Sequence, residues 1–419
     1  MQNYDQVDLF TDTSLIEDPY SYFEYLRSQG PAVYLPKHNV YAVTGFQDGL
    51  PVFSNHEVFS AAIAVNGPIP PLPFTPEGDD ISEQLEAVRE QLPYAGIIIT
   101  EDMPQHAKTK SLMMGMITPA RLQANHAFMG TLADRLIDEI IDKDSFDAIM
   151  DFGQPFATLV IADLLGVPEE DHPKYRILRS NLPGMIGNQG TPHDPLEEIG
   201  LYFWGYIEDR RANPRDDVLS RLAQVKYKDG STPDILEVVK TATFMFGAGQ
   251  HTTVLLLASA LRVLAEDQEL QQRLRDDRSL IPAFVEEMLR LNSPVKLEYR
   301  LVKKTTEIGG VEIKAGATLL LILSAMNRDP EVFEDPQQVK LDRKNGSDHV
   351  AFGRGMHACA GSPLARAEAK IGLERLFDRI ANIAIDEEKH GPAGQRKFDY
   401  EPTYTLRGLK ELHLKITPA

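Results

Sequence analysis

The 419-residue chain contains one cysteine, Cys359, in the segment Phe352-Gly-Arg-Gly-Met-His-Ala-Cys-Ala-Gly361. Three glycines in ten residues build a tight loop whose backbone amides approach a ligand closely. A helix is expected to begin near Pro363, which places Cys359 just before a helix N-terminus. The positive end of the helix dipole lowers a thiol pKa there, and amides aimed at the sulfur stabilise the thiolate further. A thiolate held in this way is either a nucleophile or a metal ligand. As a nucleophile it would need a base, and His357 stands two residues away. A buried free cysteine beside a structural turn is the plainer reading. A phosphate-binding loop is a further one, although no Gly-Lys-Ser/Thr follows and the third glycine of the dinucleotide fingerprint is missing.

Three other segments have spacings with chemical meaning. In Phe244-Met-Phe-Gly-Ala-Gly-Gln-His-Thr-Thr253, two glycines interrupt a long helical pattern. Each costs roughly 1 kcal/mol against alanine inside a helix, so either a ligand or a neighbouring helix comes close to the backbone. In Asp102-Met-Pro-Gln-His106-Ala-Lys-Thr-Lys110, His106 and Lys110 fall one helical turn apart and can address one anion; the alternative is a solvated surface pair. Glu287 and Arg290, in Glu-Met-Leu-Arg, share a helix face, as many solvated pairs do.

The elements that position these residues are mostly helices. Residues 104–291 carry helical patterning, with starts at Thr118-Pro119, Pro168-Glu-Glu, Asp194-Pro195 and Thr232-Pro233. A long helix is expected over residues 234–264. Residues 31–44 predict two short strands around a turn at 37–39. A proline-rich stretch (68–76) and an acidic one (77–90) predict a long loop with one short helix. Strands are expected at 311–313, 318–322, 404–406 and 411–416, and a helix at 364–380. The expectation is a mainly α chain with small sheets at its two ends, forming one domain over residues 1–419. Composition is that of a soluble globular protein, 42% hydrophobic and 25% charged. The net charge of -19 argues against nucleic acid and against an anionic membrane. A lone cysteine permits no internal disulfide, which suits a cytoplasmic protein. No signal peptide is expected, because residues 1–26 are polar and acidic with no basic start followed by an apolar run. No membrane-spanning anchor is expected, because Lys240, Gln250, His251 and Arg262 interrupt the most apolar stretch.

The pattern Phe-Gly-x-Gly-x-His-x-Cys-x-Gly, followed by Ala365 and Glu368, resembles the heme-binding signature of the cytochromes P-450. Phe352, Gly353, Gly355, His357, Cys359 and Gly361 fill every fixed position. The resemblance implies heme b with Cys359 as the axial iron ligand, whose thiolate favours O–O cleavage. It implies the mainly α cytochrome P-450 fold with small β-sheets, the heme lying between the cysteine loop and the long helix. Glu287 and Arg290, with Arg343, would form the family's buried structural network. His106, Lys110 (in place of an arginine), Arg300 and His357 would meet the heme propionates. Ala248, Gly249 and Thr252 match the family's Ala-Gly-x-acid-Thr groove for O2, but the acid position holds His251. Asn327-Arg-Asp-Pro330 and Asp18-Pro-Tyr-Ser-Tyr-Phe match as well. The chain is most similar to the soluble bacterial members.

The reaction so implied inserts one oxygen atom of O2 into a small lipophilic substrate. Electrons come from NAD(P)H through a ferredoxin or similar donor at the proximal face, where Lys108, Lys110, Arg354 and Arg366 form a basic set. The substrate would be a terpenoid, steroid or aromatic bounded by residues 61–99, 178–189, 244–248, 295–297 and 404–405. His251 would relay protons beside Thr252; the competing role ties the helix to a buried carboxylate. The missing acid also motivates a peroxide-driven or C–C cleaving enzyme, and a non-catalytic heme sensor is the remaining alternative.

Overall fold

The helical patterning resolves into helices packed around one long central helix, Ile235–Glu266. The computed structural model describes residues 4–176, 195–227 and 230–419. The central helix starts two residues later than Thr232-Pro233 suggests, because Asp234 and Glu237 form a capping box. The Leu236 amide donates to Asp234 Oδ1 at 2.8 Å, and the Asp234 amide to Glu237 Oε2 at 3.1 Å. The helices Gln154–Leu165 and Pro195–Ala212 pack against it. The helix that follows the cysteine loop, Ser362–Arg379, lies on Pro119–Ile140, which Thr118 caps as the sequence predicts. Asp194, the predicted cap of the helix from Pro195, lies outside the described residues, and so does the expected pocket segment 178–189. At Pro168 a single 3-10 turn, Glu169–Asp171, leads into a five-residue helix, His172–Arg176.

The central helix and the stretch Ala148–Leu165 are both long and apolar enough to cross a membrane. Their apolar windows are 67% and 83% buried within the protein itself. The central helix is thus apolar because protein surrounds most of it.

The strands do not form separate sheets at the two ends of the chain. β1 (Val33–Leu35) and β2 (Val40–Val43) form the predicted hairpin. β2 then pairs in parallel with a strand almost 300 residues on, so the first sheet joins distant segments. Its other members are β3 (Phe59–Ser60), β5 (Glu298–Val302) and β8 (Thr318–Leu321), in the order β1-β2-β8-β5-β3. β4 (Phe146–Asp147), β9 (Ile380–Ile385) and β10 (His413–Pro418) form a second sheet. β6 (Thr306–Ile308) and β7 (Val311–Ile313) form a hairpin. No strand forms at 404–406: there Leu406 makes only an isolated bridge to Val295, because the chain is turning through a loop.

Candidate active site

The cysteine loop is closed by its own backbone, with the Cys359 amide donating to Phe352 O at 2.9 Å. Its glycines differ in why they are needed. Gly353 has φ +61°, and a Cβ there would find only ordinary contacts, so backbone conformation is the reason. At Gly355, φ is +70° and a Cβ would collide with the Phe53 carbonyl. The Phe352 ring lies 4.7 Å beneath the Arg366 guanidinium. Cys359 is exposed on one side, yet the protein around its sulfur raises the thiol pKa above its ordinary value. The Gly361 and Ser362 amides and the Arg366 and Lys110 charges act in the opposite sense.

Beside this loop the fold gathers the four predicted nitrogen donors from separate segments. His106 is buried on the helix Gln105–Met116, its ring 4.3 Å from that of His357. Arg300 comes from β5 and is buried. Lys110, one turn after His106, donates its ammonium to Met356 O inside the cysteine loop. Burial, with Lys110 adding to it, pushes the His106 imidazole down to about 4. Burial, Arg300 and His106 together push His357 down to about 3.

These residues fit a heme. The buried His357 Nε2 has no hydrogen-bond partner among the described residues, and four basic side chains around a buried spot are the donor set that two propionates require. Two local acceptors modify that set. Glu298 pairs with Arg300, which also donates to Tyr299 O at 2.7 Å. Arg300 has five N–H groups and so keeps donors for a further anion. The Lys110 ammonium is already engaged by the loop carbonyl, so its place is as much loop support as propionate contact.

Behind the loop, Glu287, Arg290 and Arg343 meet as the sequence suggests. Arg290 is bidentate to Glu287 at 2.7 and 3.0 Å, and Arg343 Nε reaches Glu287 Oε1 at 3.0 Å. Arg290 also donates to the carbonyls of Asn327, Pro336 and Gln338. Asn327 Oδ1 in turn accepts the Val350 amide at 2.7 Å, which carries the network to the strand-like lead into the cysteine loop.

On the central helix, Ala248 is exposed while Gly249, His251 and Thr252 are half-buried, in an element whose other faces are mostly buried. The Thr252 hydroxyl donates to Ala248 O at 2.9 Å. A Cβ at Gly249 would meet Ile161, on the helix Gln154–Leu165, at an ordinary contact distance of 3.4 Å. Gln250 and Thr253 anchor the helix on either side: Gln250 donates to Thr158 Oγ1 at 2.6 Å, and Thr253 to the buried Glu368 at 3.1 Å. His251 Nε2 lies 2.8 Å from Glu401 Oε2.

Sequence reasoning missed Glu286, Glu298 and Glu401. Glu286 holds Arg366 at 2.6 and 2.9 Å and His349 at 3.2 Å. This corrects the basic surface set, in which Arg366 is already paired. Position next to Glu287 was the only sign for Glu286; nothing in the spacing marks Glu401, 150 residues from its partner.

The family model described as Cytochrome P-450 matches residues 204–381. The chain is 31% identical over 407 residues to cytochrome P-450(MEG) of Priestia megaterium, covering 95% of this chain and 94% of that one. Its fold matches the substrate-free structure of Mycobacterium marinum cytochrome P-450 CYP150A6 with a TM-score of 0.94, at 49% identity and over 100% of both chains. Bacillus megaterium CYP109E1, solved in complex with testosterone, matches with a TM-score of 0.78 at 28% identity, over 95% of this chain and 99% of that one. With a cysteine loop, a basic cluster and a long central helix in these places, the chain belongs to the cytochrome P-450 family of heme-thiolate monooxygenases, whose members carry heme b.

Proposed function

We propose that Cys359 is the axial ligand of heme b and that the protein inserts one oxygen atom of O2 into a small lipophilic molecule, using electrons from NAD(P)H delivered by a ferredoxin or similar donor. The gathering of His106, Lys110, Arg300 and His357 around the cysteine loop carries this reading. When bound, heme supplies the iron at which O2 is reduced and made reactive. His106, Arg300 and His357 hold its propionates, and Lys110 braces the loop. The Gly361 and Ser362 amides stabilise the thiolate. Glu287, Arg290 and Arg343 fix the fold behind the loop. The protein acts in the cytoplasm as one domain over residues 1–419. A terpenoid, steroid or aromatic substrate suits the apolar parts of the segment 61–99, on either side of its acidic stretch. A cavity of about 140 Å³ there is lined by Ala62, Ile63, Leu72 and Leu92 together with the polar Asn66 and Gln91. The testosterone complex of CYP109E1 supports the steroid option. Screening lipophilic compounds for ligand-induced shifts of the heme spectrum tests the substrate class, and a response confined to hydrophilic compounds would refute it.

The donor docks over the cysteine loop. Lys108 is exposed and Arg354 half-buried on this face, in a chain of net charge -19. Lys108→Glu with Arg354→Glu should slow reduction by an acidic ferredoxin by about tenfold or more at low salt, since steering changes association rates by 10–10³. The difference should shrink at high salt. Stopped-flow reduction rates unchanged at every ionic strength would place the docking site elsewhere.

His251 and Thr252 manage proton entry to the groove. Imidazole both takes and gives a proton near neutrality. His251→Ala should slow oxygen consumption by about 10²-fold, the lower range for a general acid–base group, with heme content intact. Thr252→Ala should divert oxygen to hydrogen peroxide at the expense of product. Full rate and full product yield from His251→Ala would remove the histidine from the path.

A further inference from the structure

Position 251, where the resemblance places an acid, holds His251, and a carboxylate from another segment meets its ring. Glu401 reaches His251 Nε2 from a loop that runs back along the central helix. That loop is tied on both sides of Glu401. Tyr400 bridges Leu409, and the Glu401 amide donates to Gly408 O at 2.9 Å. The Thr403 amide donates to Glu401 O at 2.8 Å, and the buried Lys296 ammonium donates to Thr403 O at 2.8 Å. A Cβ on Gly408 would collide with Leu255, so the loop lies flat on the helix one turn beyond His251. Further along, Arg262 donates to the Tyr400 hydroxyl at 3.1 Å. The loop therefore follows one helix face through His251, Leu255 and Arg262. Side-chain exposure is 24% for Glu401 and 16% for His251, so neither member of the pair is fully buried.

We propose that Glu401 is a positioning residue for oxygen activation, holding His251 by Nε2 and linking it to solvent. The inference rests on the proton role proposed above for His251. A carboxylate at Nε2 fixes the tautomer and leaves Nδ1 for the groove side. The carboxylate accepts from Nε2–H, so the neutral ring offers Nδ1 as an acceptor. Water on the Glu401 side adds one proton to the pair, giving a ring protonated on both nitrogens beside the carboxylate. Nδ1 then gives its proton to the groove and the neutral ring with Nε2–H is restored. One proton enters from water and one leaves into the groove, so the pair ends each turnover with the charge it began with.

The test uses holoenzyme of the wild type, His251→Ala, Glu401→Gln, Glu401→Asp and Glu401→Leu. Turnover is driven either by NADPH, ferredoxin reductase, ferredoxin and O2, or by hydrogen peroxide with guaiacol as probe. Peroxide brings its own two electrons and two protons, so this route draws no net proton from solvent. Glu401→Gln keeps a hydrogen-bonding group but cannot ionise. It should slow O2 consumption about tenfold and enlarge the solvent isotope effect, while leaving peroxide-driven guaiacol oxidation unchanged; Glu401→Asp should recover part of the rate. A second readout is independent of turnover. In the reduced, CO-bound holoenzyme with 15N-labelled histidine, the Nε2 proton signal lost in His251→Ala should also lose its strong hydrogen-bond shift in Glu401→Leu. If His251→Ala is slow but Glu401→Gln runs at the wild-type rate, Glu401 has no such role and the histidine reading stands. If both run at the wild-type rate, the histidine reading fails and takes this one with it. Equal loss of O2- and peroxide-driven rates in Glu401→Gln would make Glu401 a structural tie and overturn the proposal.

Discussion

Cys359→His should reduce oxygenation to background while the chain still folds. Folding survives because the loop closes through its backbone, from the Cys359 amide to Phe352 O, and because the described contacts behind it run through Glu287, Arg290 and Asn327. None of these uses the thiol. The chemistry does not survive, because a neutral imidazole lacks the electron-donating push of thiolate ligation. Circular dichroism and heme content should stay near wild-type levels while product formation, followed by mass spectrometry, disappears. Oxygenation at the wild-type rate by Cys359→His would mean that the thiolate is not required.

The second large effect is on stability. Glu287→Gln leaves Arg290, fully buried, without its carboxylate, and also unties Arg343. Removing one member of a buried ion pair costs about 3–5 kcal/mol, because the remaining charge stays out of water. Burial alone would raise the Glu287 carboxyl, but Arg290, the Lys340 amide and Arg343 hold it below its ordinary value. A depressed carboxyl stabilises the fold above its unfolded pKa, and that contribution is lost as pH falls through the folded one. Urea unfolding at neutral pH should show the loss in full and a smaller difference between wild type and variant in strong acid. A cost under about 1 kcal/mol at neutral pH, as for an exposed pair, would show that the network is not needed to hold the loop.

What the sequence made legible follows from how each part is encoded. The cysteine loop was plain because a tight turn needs glycine at Gly353 and Gly355 and chemistry needs cysteine at Cys359, all within ten residues. The Glu287, Arg290 and Arg343 cluster was readable from spacing once the loop gave it a context. The hairpin at β1 and β2 was readable because its pairing is local. The parallel pairing of β2 with β8 was not, since alternation along a strand marks a face but never names a partner. The same limit hid Glu401: a carboxylate on an irregular loop carries no period, and only the fold brings it to His251. The pairing of Arg366 with Glu286 has the same cause: the two lie on different helices, and no spacing in the sequence connects them. The Tyr404–Leu406 stretch looked like a strand because β-prone residues also line loops that lie against a helix.

The central claim, heme held by Cys359, is tested most directly by the absorption spectrum of the reduced, CO-bound protein, recorded for wild type and Cys359→His with heme quantified in both. One heme per wild-type chain with the strongly red-shifted Soret band of thiolate ligation, and loss of that band in Cys359→His, is the predicted result. A wild-type spectrum without the shifted band, or a Cys359→His variant that keeps it, would contradict it.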